Sequence, residues 1–209
     1  MSSQELLGII PIVAILIALV ITKSLGAWLS LIFTFIILTI TLYNKFSKKR
    51  WLIFIACIFI FLVLIFILSN RWERLINLKN PQNSITQRLN YWNTAIAIIK
   101  DHPFLGVGPG NFQKVFLKYK IGLSTDTRYA HNIFLHQWAE TGILGFFGIF
   151  YLVFNLFRMA RIKAVEKFIH LSIFVFFLHN LIDNAYFIPE TGILWWVLLG
   201  FVFTHPEHN

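Results

Sequence analysis

Apolar residues are concentrated at the two ends of this sequence, and polar residues are concentrated in its middle. Three long apolar runs come before position 70, namely Leu6–Thr22, Leu25–Tyr43 and Trp51–Ser69. Three shorter runs come after position 141, namely Gly142–Phe157, Phe168–Ile182 and Thr191–Thr204. Apolar runs of about 17–25 residues can cross a bilayer as helices. The pattern therefore predicts an all-α, polytopic membrane protein with about six transmembrane helices.

The polar middle, Asn70–Thr141, is predicted to contain two amphipathic helices. Ser84-Ile85-Thr86-Gln87 fits a capping box, with serine as the cap. One apolar stripe follows at helical spacing and ends at Asp101-His102-Pro103; it consists of Ile85, Leu89, Trp92, Ile96 and Ile99. A second stripe consists of Phe112, Val115, Phe116 and Tyr119. We expect both helices to lie on the membrane surface or on the helical bundle, and we divide the chain into residues 1–69, 70–141 and 142–209.

The short loops predict the orientation in the membrane. Asn44–Arg50 and Arg158–Lys167 each carry four lysines or arginines, which favours the cytoplasmic side. Both termini are then cytoplasmic, and the long polar segment lies on the outer side. That segment is also basic, but loops longer than about 60 residues are largely exempt from the rule.

Composition supports a membrane protein and excludes some classes of site. The chain is 57% hydrophobic and 13% charged, whereas soluble domains are about 45–50% apolar and about 25% charged. We attribute the formal charge of +9 to topology and anionic headgroups rather than to nucleic acid. The single cysteine, Cys57, excludes an intrachain disulfide and a cysteine-based metal site.

His131 is the first candidate for chemistry. It lies in Arg128-Tyr129-Ala130-His131-Asn132, at the border between the polar segment and an apolar block. A histidine can exchange a proton near neutral pH, so it could act as a general base on a hydroxyl group. The alternative is an interfacial histidine bonded to a nearby carbonyl. His136 does not share its helical face, which argues against a two-histidine metal site, and we interpret His102 and His179 as structural.

Three charged residues and one glycine cluster are further candidates. Arg88 could clamp a pyrophosphate with its planar guanidinium, or it could belong to a solvated helix face. Arg128 is three residues before His131 and could join the same site. Asp183 could orient an arginine or a histidine, or it could be a plain helix terminus in water. Gly106–Gly110 could present N–H groups to phosphate, or it could be an ordinary turn.

Several of these segments, in their order and spacing, resemble the O-antigen ligase and polymerase superfamily. The likeness extends from about Lys23 onward. The segments that carry it are Arg88 with Trp92-Asn93-Thr94-Ala95, Pro103-Phe104-Leu105-Gly106-Val107-Gly108-Pro109-Gly110-Asn111-Phe112, Ala130-His131-Asn132-Ile133-Phe134-Leu135, Glu140-Thr141-Gly142-Ile143-Leu144-Gly145, and Asp183 with Pro189-Glu190-Thr191-Gly192-Ile193-Leu194-Trp195-Trp196.

The resemblance implies a glycosyltransferase of the bacterial inner membrane. Members of this family move a glycan from an undecaprenyl-pyrophosphate carrier to lipid A–core, to a growing glycan or to a protein. By matching motifs, His131 takes the position of the proposed base, Arg88 that of a carrier-phosphate-binding arginine, and Asp183 that of an acidic residue near the end. The resemblance also implies that no metal is required, because arginines handle the pyrophosphate.

Two departures from the family pattern keep alternatives open. The family commonly has about twelve membrane helices, so the chain is interpreted as a short or truncated member, matching the C-terminal half, with a partner chain as one source of further helices. A turn that usually reads Ser-Arg-Gly is Ser24-Leu25-Gly26 here, and Lys23 replaces the arginine only as a point charge. The alternatives are a small-anion transporter of the same family and an inactive or partial subunit of a split ligase.

Overall fold

The computed structural model describes residues 14, 17–18, 21–22, 24–42, 55, 59, 77–159 and 164–204. Within these residues the protein is all-helical, without a β-strand, as the sequence predicts. The chain divides into two compact units, Met1–Glu73 and Arg74–Asn209.

The first unit contains helix α1, Leu25–Leu42, whose sequence is almost entirely apolar. The Ser24 hydroxyl accepts a hydrogen bond from the Ala27 backbone N–H at 3.2 Å, which caps the first turn. The predicted spans Leu6–Thr22 and Trp51–Ser69 lie mostly outside the described residues, and so do Lys23 and the basic loop Asn44–Arg50.

The second unit contains five α-helices and one short 3₁₀ helix among the residues described there. The helices are α2 (Ser84–Asp101), α3 (Phe112–Tyr119), α4 (Ile133–Met159), α5 (Ala164–His179), the 3₁₀ helix Ala185–Phe187, and α6 (Pro189–Thr204). The two helices expected in the polar segment are thus α2 and α3, and the end of α2 at Asp101 agrees with the sequence pattern.

The start of α2 differs from the predicted capping box by one residue. Asn83 is the cap: its side-chain oxygen accepts the N–H of Ile85 at 2.9 Å. Asparagine caps as well as serine does, and Asn83 is held by a bond from its own amide to the Asn77 carbonyl at 3.0 Å. Gln87 is not part of a box, because its side-chain oxygen accepts the N–H of Thr125 at 2.8 Å.

The predicted apolar stripe of α2 only partly coincides with the face that packs in the protein: Ile99 is buried, whereas two other members are exposed. Leu89 is 47% exposed and Ile96 is 40% exposed. The buried face instead consists of Gln87, Tyr91, Thr94, Ala95, Ile98 and Ile99. It packs with Phe112 and Phe116 of α3 and with Ala130 and Ala139 into one core. The buried polar groups on this face are hydrogen-bonded, as burial requires. Thr94, for example, accepts the N–H of Ile121 at 3.1 Å.

Helix α4 is interrupted at Gly142, where φ is +71° and ψ is −164°. An added Cβ at this position would collide with the Phe104 carbonyl, so both the backbone angle and the close approach require glycine. Before the break, α4 packs on α2 and α3. The part of α4 after the break, together with Ile133 at the start of the helix, packs on α5 and α6 through two cores. Their buried residues are Ile133, Ile149, Val153, Leu156, Ile173, Phe177, Trp195 and Leu199.

Among the described residues, one helical stretch, Ile133–Leu156, is long and apolar enough to cross a membrane. The six-span arrangement and its orientation stay predictions.

Candidate active site

The carboxylate of Asp183 collects one arginine and two histidines from three different elements. Asp183 lies between α5 and the 3₁₀ helix. Its Oδ2 lies 3.4 Å from Nη2 of Arg88 and 3.7 Å from Nε2 of His179. Its Oδ1 lies 3.5 Å from Nδ1 of His131. Arg88 comes from α2, His131 from the turn before α4, and His179 from the last turn of α5, so the fold assembles this cluster from distant parts of the sequence.

The cluster strongly favours the ionised form of Asp183. Partial burial opposes ionisation, because a charge loses hydration there. The contact with His131, the N–H of Asn184 at 2.9 Å, and the charges of Arg88 and His179 outweigh that penalty and lower the pKa of Asp183 from 3.8 to about 2. The site therefore holds a fixed negative charge across the physiological pH range.

Arg88 is a partly buried residue that spans two segments, and it is not on a solvated helix face. Its Nε donates to the carbonyl of Ile182 at 2.6 Å, and its Nη1 donates to that of Ser84 at 3.4 Å. Its side chain is 23% exposed. A guanidinium carries five N–H groups in a fixed fork, so N–H groups remain that can face a ligand while the arginine stays anchored to Asp183.

The backbone of His131 adopts the left-handed region, with φ +53°. For a residue other than glycine this conformation costs about 1–2 kcal/mol. Contacts on all sides hold it in place. The indole Nε1 of Trp92 donates to the His131 carbonyl at 3.3 Å, and the ring of Tyr91 stacks on the imidazole with centroids 5.4 Å apart.

The imidazole of His131 is directed by Asp183. Nδ1 is buried and faces Oδ1 at 3.5 Å, a charge contact that is longer than a well-formed hydrogen bond. Nε2 makes no hydrogen bond with the described residues. A carboxylate beside Nδ1 and an unengaged Nε2 form the arrangement in which a histidine accepts a proton from a substrate hydroxyl.

Asn132 fastens the residue after His131 to the Asp183 region. Its side-chain N–H group donates to the Leu181 carbonyl at 2.9 Å, and its oxygen accepts the N–H of Leu135 at 3.0 Å, which caps α4. The N–H of Ile133 donates to the Asn180 carbonyl at 2.9 Å. The start of α4 and the end of α5 are therefore joined by backbone and side-chain bonds next to the candidate base.

The glycine cluster Gly106–Gly110 is occupied by the protein itself. The Glu140 carboxylate accepts the N–H of Gly110 at 2.8 Å and that of Phe112 at 3.0 Å. The N–H of Gly108 donates to the Glu140 carbonyl at 2.8 Å. An acidic side chain thus occupies the N-terminus of α3, where a phosphate was one expectation. The alternative, a structural turn, accounts for these bonds.

Arg128, one of the two remaining site candidates, does not join the cluster. Arg128 is exposed and makes no hydrogen bond or ion pair with them. It lies three residues before His131, so its long side chain is available on the solvent side. Lys23 lies outside the described residues.

His179, interpreted from sequence as structural, is the member of the cluster that sequence reasoning missed. One signal was available: His179 and Asp183 are four residues apart at the end of an apolar run, and this spacing brings side chains together on a helical turn. Tyr91 was missed as well, because its contact with His131 joins two segments separated by 40 positions.

The fold and this cluster define a helical protein with an arginine–aspartate–histidine site at the ends of its helices. The sequence model of the O-antigen ligase family matches residues 10–150 of the 209-residue chain. The chain therefore belongs to the O-antigen ligase family, as the resemblance predicts. Arg88 and His131 lie inside the matched segment, whereas His179 and Asp183 follow it. No curated protein matches the chain. The family is associated with bacterial membranes and implies a ligase-like glycosyl transfer that uses a lipid-linked glycan.

Proposed function

We propose that this chain transfers a glycan from undecaprenyl pyrophosphate to an acceptor hydroxyl at the periplasmic face of the bacterial inner membrane. The acceptor class is lipid A–core, a growing glycan or a protein. The observation that carries the proposal is the contact of Asp183 with both His131 and Arg88. One carboxylate thereby links a group able to take a proton to a group able to bind phosphate.

In the proposed step the acceptor oxygen forms a bond to the anomeric carbon of the glycan. The bond between that carbon and the pyrophosphate oxygen breaks, and its electron pair leaves with the pyrophosphate. Nε2 of His131 accepts the proton of the acceptor hydroxyl. Asp183 stabilises the resulting imidazolium at Nδ1, 3.5 Å away. Preorganised charges of this kind act without rearranging during the reaction.

Arg88 and Arg128 are proposed to bind the pyrophosphate of the donor. Arg88 is anchored at Ile182 and Asp183, so its guanidinium is oriented before the donor arrives. Arg128 is exposed and contributes charge from the outer side. Lys23 is proposed as a third cation that partly replaces, as a point charge, the family arginine missing at Leu25. Arginines in fixed positions suit a leaving group that carries several negative oxygens.

The proposed location is a multi-pass arrangement with six spans and both termini in the cytoplasm. The apolar stretch Ile133–Leu156 and the apolar helix α1 support it, as does the basic composition of the short loops. The arrangement puts residues 70–141 outside. A cysteine introduced there, in a Cys57→Ser background, should react with an impermeant thiol reagent applied to intact spheroplasts. Labelling only after the membrane is opened contradicts this topology.

The function is tested by glycan transfer in cells that lack their own ligase. The chain is expressed alone and together with the upstream half of a full-length relative, and modified lipopolysaccharide is read on gels. We expect transfer with the unmutated chain or with the pair, and loss of transfer with His131→Ala. His102→Ala is the matched control, because His102 is an exposed histidine at the end of α2. Normal transfer by His131→Ala, or loss in both variants, contradicts the proposal.

A small-anion carrier and an inactive subunit are the competing functions, and the same cells separate them. A carrier should give saturable uptake of a labelled anion without any change in lipopolysaccharide. An inactive subunit should give neither signal alone, and transfer by the pair should then survive His131→Ala.

A further inference from the structure

We propose that His136 is a positioning residue: it holds the backbone before His131 so that the candidate base keeps its left-handed conformation. The catalytic consequence rests on the proposed function, but the geometry does not. His136 is five residues after His131 and 1% exposed, so it cannot touch a substrate and must act through a neighbour.

The surroundings of His136 indicate which nitrogen of its ring carries the proton. Its Nδ1 accepts the backbone N–H of Ala130 at 3.3 Å. An imidazole nitrogen that accepts a hydrogen bond carries no proton, so this bond assigns the ring proton to Nε2. Nε2 faces Oε1 of Glu140 at 3.6 Å. Nδ1 therefore has a hydrogen-bond partner, and Nε2 has a charge contact that is longer than a well-formed hydrogen bond.

The bond to Ala130 acts directly on His131. Ala130 is completely buried. Its N–H therefore cannot bond to solvent, and His136 is its hydrogen-bond acceptor. It immediately precedes His131, whose φ of +53° must be enforced by its surroundings. The backbone after His131 is held by Asn132, whose side-chain N–H donates to the Leu181 carbonyl. With Ala130 released, the preceding side of His131 is no longer fastened, and we expect the imidazole to lose part of its fixed direction toward Asp183.

The ring of His136 is itself held in place. Phe112 and Phe187 pack against it, with ring centroids 5.0 Å and 4.2 Å away. Glu140 is fixed by the N–H groups of Gly110 and Phe112. The glycine turn therefore acts on the candidate base through Glu140 and His136. Through this chain of contacts, the glycine turn Gly106–Gly110 helps to position His131 and does not need to bind phosphate.

Two substitutions separate the bonds of His136. In His136→Asn, the amide oxygen lies near the position of Nδ1 and can accept the Ala130 N–H. In His136→Gln, the amide lies near the position of Nε2 and can reach Glu140 but not Ala130. Both substitutions remove the aromatic ring. A difference between the two variants therefore cannot come from the loss of ring packing. Hydrogen–deuterium exchange of the Ala130 amide and the rate of glycan transfer are measured in both.

We expect a protected Ala130 amide and most of the transfer rate in His136→Asn. In His136→Gln we expect fast exchange and a loss of about tenfold or more in rate, because a small misplacement of a reacting group has effects of this size. Equal exchange in the two variants overturns the proposal, and so does a fully active His136→Gln.

A third measurement does not depend on activity. ¹⁵N NMR of the imidazoles in the unmutated protein should show a histidine signal with its proton on Nε2 that is absent from the spectrum of His136→Asn. A proton on Nδ1 of His136 overturns the proposal. If the unmutated chain transfers no glycan, the proposed function fails, while the NMR and exchange results still decide the role of His136.

Discussion

Replacing Asp183 by asparagine should destabilise the second unit by an amount set by the pKa of its carboxyl. The pKa is about 2 in the folded protein and ordinarily 3.8. Each unit of difference corresponds to about 1.4 kcal/mol, so ionised Asp183 contributes about 2.5 kcal/mol at neutral pH. The side chain is only 20% exposed, so solvent screening reduces this figure little. The neutral amide would also leave the charge of Arg88 without its partner.

The sign of the pH dependence follows from the lowered pKa. A depressed carboxyl pKa stabilises the fold above the unfolded-state pKa, and this stabilisation is lost as the pH falls through the folded-state value. The parent should therefore lose about 1 kcal/mol of its advantage over Asp183→Asn between about pH 5 and about pH 3. The comparison with the variant removes the contribution of every other titrating group that the two proteins share.

The measurement is equilibrium unfolding of parent and variant in a mild detergent, at matched protein concentration and at the two pH values. Asp126→Asn is the control, since Asp126 is exposed and its loss should change little. A constant difference between parent and Asp183→Asn across this pH range, or no difference at neutral pH, would refute the argument from the charge cluster.

Three further predictions concern other parts of the site. Arg88→Lys should impair donor use nearly as much as Arg88→Ala, because lysine lacks the guanidinium fork. The control Arg158→Lys, at an exposed position, should remain active. A fully active Arg88→Lys contradicts the proposal that Arg88 clamps the pyrophosphate. His179→Ala should slow transfer several-fold in the same assay, less than the ~10²-fold or greater loss for His131→Ala, and equal losses contradict its supporting role. Gly142→Ala should lower the thermal unfolding temperature sharply, whereas Gly148→Ala, with open space around it, should not. Similar unfolding temperatures in the two variants contradict the requirement for glycine at the α4 break.

The sequence predicted those features that depend on neighbouring residues. The end of α2 follows from Asp101-His102-Pro103, and the buried face of α3 follows from the spacing of Phe112 and Phe116. Apolar runs located α1 and α6 closely. In these cases backbone geometry and side-chain periodicity decide the outcome without a distant partner.

The buried face of α2 could not be predicted in this way. Periodicity identifies an apolar stripe, but distant segments supply the partners that make burial of a polar side chain favourable. Gln87 is buried because Thr125 and Leu123 bond to it, and Thr94 because Ile121 does. Leu89 is left outside the core as a consequence. Hydrogen bonds with distant segments thus decide which polar residues of α2 enter the core.

The candidate site likewise has features that the sequence predicts and features that depend on distant segments. His131, Arg88 and Asp183 were found by motif, but the contacts of Asp183 with the other two join positions that are 52 and 95 residues apart. His179 carries no motif, and its role follows only from the end of α5 next to Asp183. The left-handed backbone of His131 is also invisible in sequence, since glycine is the usual sign of a positive φ and none is present there.

The most direct test of the central claim is glycan transfer by purified protein in proteoliposomes that contain an undecaprenyl-pyrophosphate-linked glycan and an acceptor. The rate with His131→Gln is compared with the rates of the parent and of His131→Ala. Glutamine reproduces hydrogen bonding of one ring nitrogen but takes up no proton near neutral pH. We predict that His131→Gln fails as completely as His131→Ala, with a loss of about 10²–10⁴-fold, while both proteins fold. Parent-like transfer by His131→Gln would contradict the account, because a residue that forms hydrogen bonds but takes up no proton would then suffice.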